Sequence, residues 1–251
     1  MFLTTNPLLA QNAEPHPWLA DAPGEFVRLI DRGNVSIVVD DERIRKAGKT
    51  ALTIFQFSVD YDFKYRQQLL GFDSKTNTWQ AKMIAWMDQP KLKLEHKICI
   101  QSTFNPSLPW ESRLLRHEFD HVAISSDPRI LKIMKRMLQQ RQQWTATFEQ
   151  VNRPTEKDFR KCILERITTQ VRTIEMLVQS QYDYLDQESA QGVTNIVDRK
   201  EFFTRLYTME GVDRCKIELG DSTRDYVKQL LSSEANQKEI DGHYLFLVQA
   251  K

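Results

Sequence analysis

His117 and His121 stand four residues apart in the run His117-Glu118-Phe119-Asp120-His121, with a carboxylate directly after the first imidazole. On a helix that spacing is a rotation of about 40° and a rise of roughly 6 Å, so both rings can turn toward one ion. Imidazole nitrogen suits zinc, and Glu118 is placed to take a proton from a water that the ion activates. The encoded chemistry is metal-assisted hydrolysis with Glu118 as general base and no covalent enzyme intermediate.

Two histidines are half of a working zinc site, and a third ligand must come from elsewhere. Asp127 is the nearest oxygen, six residues beyond His121. An unbroken helix would carry it about 240° round the axis, but Pro128 pushes the residue before it out of helical conformation and permits a His117, His121, Asp127 set. The pair Asp127-Pro128 is equally a natural N-cap and first-turn pair for a new helix, with Arg116 or Arg129 holding the carboxylate. In that case a distant residue replaces it, from among His96, His16, His243, Glu175 and Glu188. His96 lies in a lysine-rich alternating segment and reads as exposed, and Asp120 reads as a solvated residue. Tyr182 and Tyr184 are candidate donors to a developing oxyanion, although side-chain packing accounts for them more simply.

The dyad needs a helix, and the chain supplies one after a strand-rich opening. Val35 to Val39 is a β-branched run, and Leu52 to Val59 leads into Tyr61, Phe63 and Tyr65 at alternating positions. Turn residues Gly71, Asp73 and Asn77 precede Trp79 to Met87, and Asp88-Gln89-Pro90 separates that run from Lys91 to Ile100. An antiparallel meander of about four strands is the economical arrangement. After Asn105 to Pro109 the apolar period lengthens, and Ser107 or Pro109 marks the start of the dyad helix. Ile130 to Trp144 reads as a second helix, and Pro154 to Asp158 introduces a long one carrying Phe159, Ile163, Ile167, Val171, Ile174 and Leu177. Glu201 to Leu206 and Ser222 to Leu231 add two more, and Tyr244 to Val248 reads as a last strand. The expected fold is one α+β domain over residues 1–251, strand-rich over about 30–105 and helical over about 108–235, with an antiparallel sheet leading into the active-site helix and further long helices.

The block Leu114-Leu115-Arg116-His117-Glu118-Phe119-Asp120-His121-Val122-Ala123-Ile124, after a strand-rich opening and a Pro-Trp element, resembles a little-characterised bacterial family of predicted zinc-dependent, often secreted, proteases. The resemblance implies that His117, Glu118 and His121 are the family's His-Glu-x-x-His core. Asp186-Gln187-Glu188-Ser189-Ala190-Gln191-Gly192 is similar to a downstream Asp-x-Glu-Thr-x-His-Gly pattern, with Ser189 in place of threonine and Gln191 in place of histidine. If that histidine has a catalytic or metal role, this chain has lost activity or moved the function to Asp127. A looser likeness is to metzincin-type zinc proteases: Asp127 falls at their third-ligand position, but Ile124 stands where their glycine makes the sharp helix exit. The resemblance also favours a secreted or periplasmic place, although residues 1–13 lack the basic and unbroken apolar regions of a secretory signal.

Composition bears on partners. Lysine and arginine number 35 against 34 acidic residues, a formal charge of +1, and no continuous basic stripe offers a phosphate track, so no nucleic-acid partner is expected. No apolar run is long enough for a transmembrane span. Cys99, Cys162 and Cys215 follow neither zinc-finger nor disulfide-framework spacing. The reading is a zinc metallopeptidase acting on a peptide or protein laid as an extended chain along a sheet edge near the dyad helix. The alternative is a non-catalytic, zincin-like binding or scaffold domain with a degenerate metal site, in which Tyr61, Phe63, Tyr65, Trp79 and Trp86 matter as much as the dyad.

Overall fold

The computed structural model describes residues 2–4, 16–60, 62–150, 152–215, 217 and 220–244. Its strands are β1 (Phe2–Thr4), β2 (Val35–Val39), β3 (Ala51–Asp60), β4 (Phe63–Asp73), β5 (Thr78–Met87), β6 (Lys91–Ile100) and β7 (Gln142–Phe148). Its helices are α1 (Gly24–Gly33), α2 (Asp41–Ala47), α3 (Arg113–Ser125), α4 (Pro128–Gln139), α5 (Glu156–Glu188), α6 (Arg199–Arg205), α7 (Met209–Arg214), α8 (Asp221–Leu231) and α9 (Glu234–His243). The fold is α+β, as the patterning predicts.

The strands form two sheets rather than one meander. One sheet runs β1-β3-β6-β2 and the other β4-β5-β7. The break comes where Asp88-Gln89-Pro90 ends β5: β6 then leaves its predecessor, pairs antiparallel with β3 from Ala51 opposite Ile100 to Asp60 opposite Lys91, and pairs parallel with β2. Burial gives the reason. The second half of β6, His96 to Ile100, is buried on both faces and suits a sheet covered on both sides, whereas β5 alternates buried Ala81, Met83, Ala85 and Met87 with wetter neighbours and suits a sheet with one wet face. The place beside β5 is taken by β7, with Met83 opposite Trp144. Trp144 is therefore a strand residue, and the helix expected to reach it ends at Gln139.

Two helices interrupt the opening stretch. α1 buries Phe26 and Leu29 and ends on Asn34, whose φ of 45° lets its N–H return to Ile30 O. α2 begins at the Asp40 cap and ends at Gly48, with φ 66°. The dyad helix starts later than expected: Pro109–Glu111 is a short 3-10 turn, and Ser112 caps α3 by accepting from Leu115 N. α5 is one helix of 33 residues, opened by a reciprocal capping box of Thr155 and Asp158. Tyr61 and residues 245–248, where sequence reading placed strand character, lie outside the described residues.

α3 packs on β3, α1 and α5, and this placement builds the site. Its core face is Leu115, Phe119, Val122 and Ala123, joined to Phe57 and Ile98 of the sheet and to Leu177 and Leu185 of α5. Burying one such side chain stabilises the fold by about 1.5–3 kcal/mol. Sheet and long helix thus grip α3 from two sides.

Candidate metal centre

Both dyad histidines are buried, and their ring centroids lie 4.7 Å apart. The partner they share is Asp186, in the last turn of α5: His117 Nε2 lies 2.9 Å and His121 Nε2 3.0 Å from the same oxygen, Oδ1. The three residues each offer one ligand atom, all within 4.8 Å of one another, and the group can hold a metal ion. With both Nε2 atoms freed of their protons, two imidazole nitrogens and one carboxylate oxygen are a donor set that zinc accepts, with one position left open.

Asp186 is held on its other side as well. Lys49, between α2 and β3, donates from Nζ to Asp186 Oδ2 at 2.7 Å. Burial would raise the Asp186 carboxyl, but hydrogen bonds from His117 and His121, the charge of His121 and the Lys49 bond together hold it far below the usual carboxylate range. It is an anion ready to meet a cation without first losing a proton.

Glu118 is 3% exposed, and its Oε2 accepts from Thr53 Oγ1 of β3 at 2.7 Å. It shares with His117, His121, Asp186 and Lys49 a cleft of about 60 Å³, several times the roughly 10–15 Å³ that one water needs. His117 is fixed from behind by the turn after α5. Ala190, Gln191 and Gly192 all have positive φ, and a Cβ on Gly192 would lie 2.8 Å from His117 Cγ, so only glycine fits there. Ser189 Oγ accepts from Gly192 N at 3.0 Å and lies 3.5 Å from His117 Nδ1. The Nδ1 atom of His121 is buried with no hydrogen-bond partner among the described residues.

The structure does not bring Asp127 to the centre. It caps α4, accepting from Arg129 N at 2.8 Å, while Arg129 Nε and Nη2 and the Tyr244 hydroxyl take up both its oxygens. Burial raises its carboxyl, but the charge and hydrogen bonds of Arg129 bring it below the ordinary value. Of the two readings of Asp127-Pro128, the cap is the one observed, and Asp186 stands where a third ligand was sought.

The other candidates are occupied elsewhere. His96 is buried, against the expectation from its lysine-flanked strand; Gly33 leaves room for it, with Gly33 O 2.6 Å from Nδ1, and burial pushes its pKa down to about 4. A carbonyl can only accept, so the His96 proton sits on Nδ1 and Nε2 accepts from Ser125 Oγ, 2.5 Å away. His16 accepts from Trp18 N beside a 3-10 turn, and His243 sits between Arg32 and Ala123 O. Neither Glu175 nor the exposed Glu188 belongs to the group. Tyr182 donates to Ser125 Oγ at 2.9 Å, with its hydroxyl pKa raised by burial, while Tyr184 stacks on Phe202. Asp120 is buried rather than solvated and pairs with Arg199. Gln191 lines the cleft, so the departure from the downstream pattern falls at its rim.

The signal for Asp186 was present in the sequence. It opens the downstream Asp-x-Glu pattern, and it follows the apolar series of α5 to the helix end. Which way that end faces is set by packing. No protein-family model, curated protein or solved structure matches the chain. Among the described residues no helix is long and apolar enough to cross a membrane.

Proposed function

We propose that the chain is a zinc-dependent metallopeptidase in which His117 Nε2, His121 Nε2 and Asp186 hold the metal and Glu118 is the general base. The observation that carries this reading is the convergence of both imidazoles on one carboxylate oxygen, at 2.9 and 3.0 Å, beside a buried glutamate in the same cleft. Zinc bound there would supply Lewis acidity, bringing a water's pKa near neutrality and polarising a carbonyl.

The chain's own residues do the rest. Glu118 accepts the water proton and returns it to the leaving amine, and the Thr53 hydroxyl fixes which carboxylate oxygen faces the cleft. Substrate has a natural track. Among the described residues β3 meets β1 only at Ser58 to Asp60, which leaves the edge from Ala51 onward for an extended peptide, and Ala51 to Thr53 line the cleft. With Asp186 as third ligand, Gln191 in place of the pattern's histidine does not deprive the centre of a donor, which supports the catalytic reading over a degenerate scaffold. The resemblance to zinc-dependent bacterial proteases points the same way.

The test pairs zinc content with one substitution. Protein purified without chelator and supplemented with zinc should carry one zinc per chain and cleave an unfolded protein substrate. Glu118→Gln should keep the zinc and lose activity by on the order of 10²–10⁴-fold. Absence of zinc would sink the enzyme, zinc without cleavage would favour the scaffold, and full activity in Glu118→Gln would remove the assigned base.

A further inference from the structure

We infer that Lys49 is the group that receives the developing oxyanion of the substrate carbonyl, an inference that rests on the peptidase reading above. A base and three ligands leave the carbonyl oxygen without a protein donor, and such donors carry a large share of the rate in acyl chemistry. The cleft walls offer few candidates. Thr53 spends its single hydroxyl hydrogen on Glu118. Gln179 is neutral and exposed and gives one of its two amide hydrogens to Asp183 at 2.9 Å, and Tyr182 is committed to the buried chain through Ser125 to His96.

Lys49, Thr50 and Gln191 remain. Thr50 and Gln191 are neutral and exposed, with no side-chain partner among the described residues. Lys49 alone is both charged and fixed. Its backbone N–H returns to Ile44 O at 3.3 Å just after the left-handed Gly48, and its Nζ is tied to Asp186 Oδ2 at 2.7 Å with the side chain 30% exposed. One of its three N–H bonds serves Asp186, and two are free to turn toward the cleft. The ammonium is thereby parked one carboxylate away from the ligand nitrogens, where it can form a charge-assisted bond.

The step balances simply. The water oxygen bonds to the carbonyl carbon, the carbonyl π pair moves to its oxygen, and Lys49 donates a hydrogen bond to that oxygen while keeping its proton. Glu118 carries the water's proton to the amide nitrogen. The C–N bond then breaks, the pair on oxygen re-forms the C=O bond, and a carboxylic acid and an amine leave.

The experiment uses the zinc-loaded full chain with Lys49→Met and Lys49→Arg. Four quantities are read: zinc stoichiometry, kcat and KM on a fluorogenic peptide, affinity for a phosphinate analogue of that peptide, and affinity for the cleaved product. The phosphinate carries the tetrahedral anion that the product lacks. Lys49→Met should keep one zinc and a KM close to wild type, while kcat and phosphinate affinity fall by on the order of 10²–10³-fold and product affinity holds. Lys49→Arg should recover much of the phosphinate affinity. Unchanged kcat and phosphinate binding in Lys49→Met overturn the inference and leave the peptidase intact. Loss of zinc in Lys49→Met, with kcat restored by excess zinc, overturns it too, because Lys49 then only positions Asp186. If zinc-loaded wild type is inactive, the peptidase reading fails, and the phosphinate comparison still decides whether Lys49 receives an anion. A wild type that takes no zinc overturns both.

Discussion

Thr53 Oγ1 lies 2.7 Å from Glu118 Oε2 and 3.1 Å from the backbone carbonyl oxygen of the same residue. The hydroxyl has one hydrogen, and the carboxylate is the stronger acceptor, so a sheet residue orients the glutamate of the dyad helix. Thr53→Val keeps the shape and removes the donor. Chemical denaturation should show a loss of about 1.5–3 kcal/mol, the worth of a hydrogen bond to a charged group. Zinc content should not change, and kcat should fall on the order of 10-fold. A wild-type kcat in this variant would show that the hydroxyl has no part in orienting the base.

Asp127 and Asp186 make opposite predictions. Asp186→Ala removes a ligand and should abolish tight zinc binding, read by competition with a chromophoric chelator. Asp127→Ala should keep the zinc but leave Arg129 buried without its counter-charge, at a cost of about 3–5 kcal/mol in unfolding free energy. Zinc loss confined to Asp127→Ala would reverse the ligand assignment.

His96 sets a pH dependence. Its folded pKa is about 4 against about 6.5 for an unperturbed histidine, because burial opposes the charged form. Above pH 6.5 neither state binds the proton. Between 6.5 and 4 the unfolded chain takes it up and the folded one does not, so stability falls with pH, by about 3 kcal/mol in all. Buried His243, also lowered, acts in the same sense, while Asp120, raised by burial, acts in the opposite one. The carboxylates of Asp127 and Asp186, held low, lose their contribution only as pH drops below the ordinary carboxylate range. Urea titrations at pH 7 and 4.5 in chelator isolate the effect by comparison with His96→Gln, which has no proton to gain. Wild type should lose about 2–3 kcal/mol more than the variant, and equal losses would mean that His96 is charged in the folded chain.

Local signals were legible where local physics decides. The strand runs over residues 35–39, 52–59, 79–87 and 91–100, the helical spacing of the dyad and the Thr155 cap of α5 all follow from side-chain period and capping chemistry. α1 was missed although its signal is local: Phe26, Leu29 and Ile30 have helical spacing and Asn34 ends them. What sequence reading missed was mostly long-range. The departure of β6 to a second sheet depends on which strand needs cover on both faces, and the burial of His96 depends on a glycine 63 residues earlier. Asp186 reaches the dyad across 69 residues, and no spacing rule connects them. For Asp127 the sequence left ligand and helix cap both open, and the cap is observed, because nearness along the chain is a poor guide when a proline opens a new helix.

Asp186 rides near one end of a helix of 33 residues whose other end rises from the Thr155 cap, on the side where Phe159 meets Phe148 of β7. At 1.5 Å per residue the rod is roughly 50 Å long, and Asp186 sits about 21 Å beyond its midpoint, so a tilt of about 2° displaces the carboxylate by roughly 0.7 Å. That is more than a productive constellation tolerates, about 0.5 Å. The far β4-β5-β7 sheet and the candidate third ligand thus sit at opposite ends of one rod, and a small change in its tilt would move the carboxylate that both imidazoles contact.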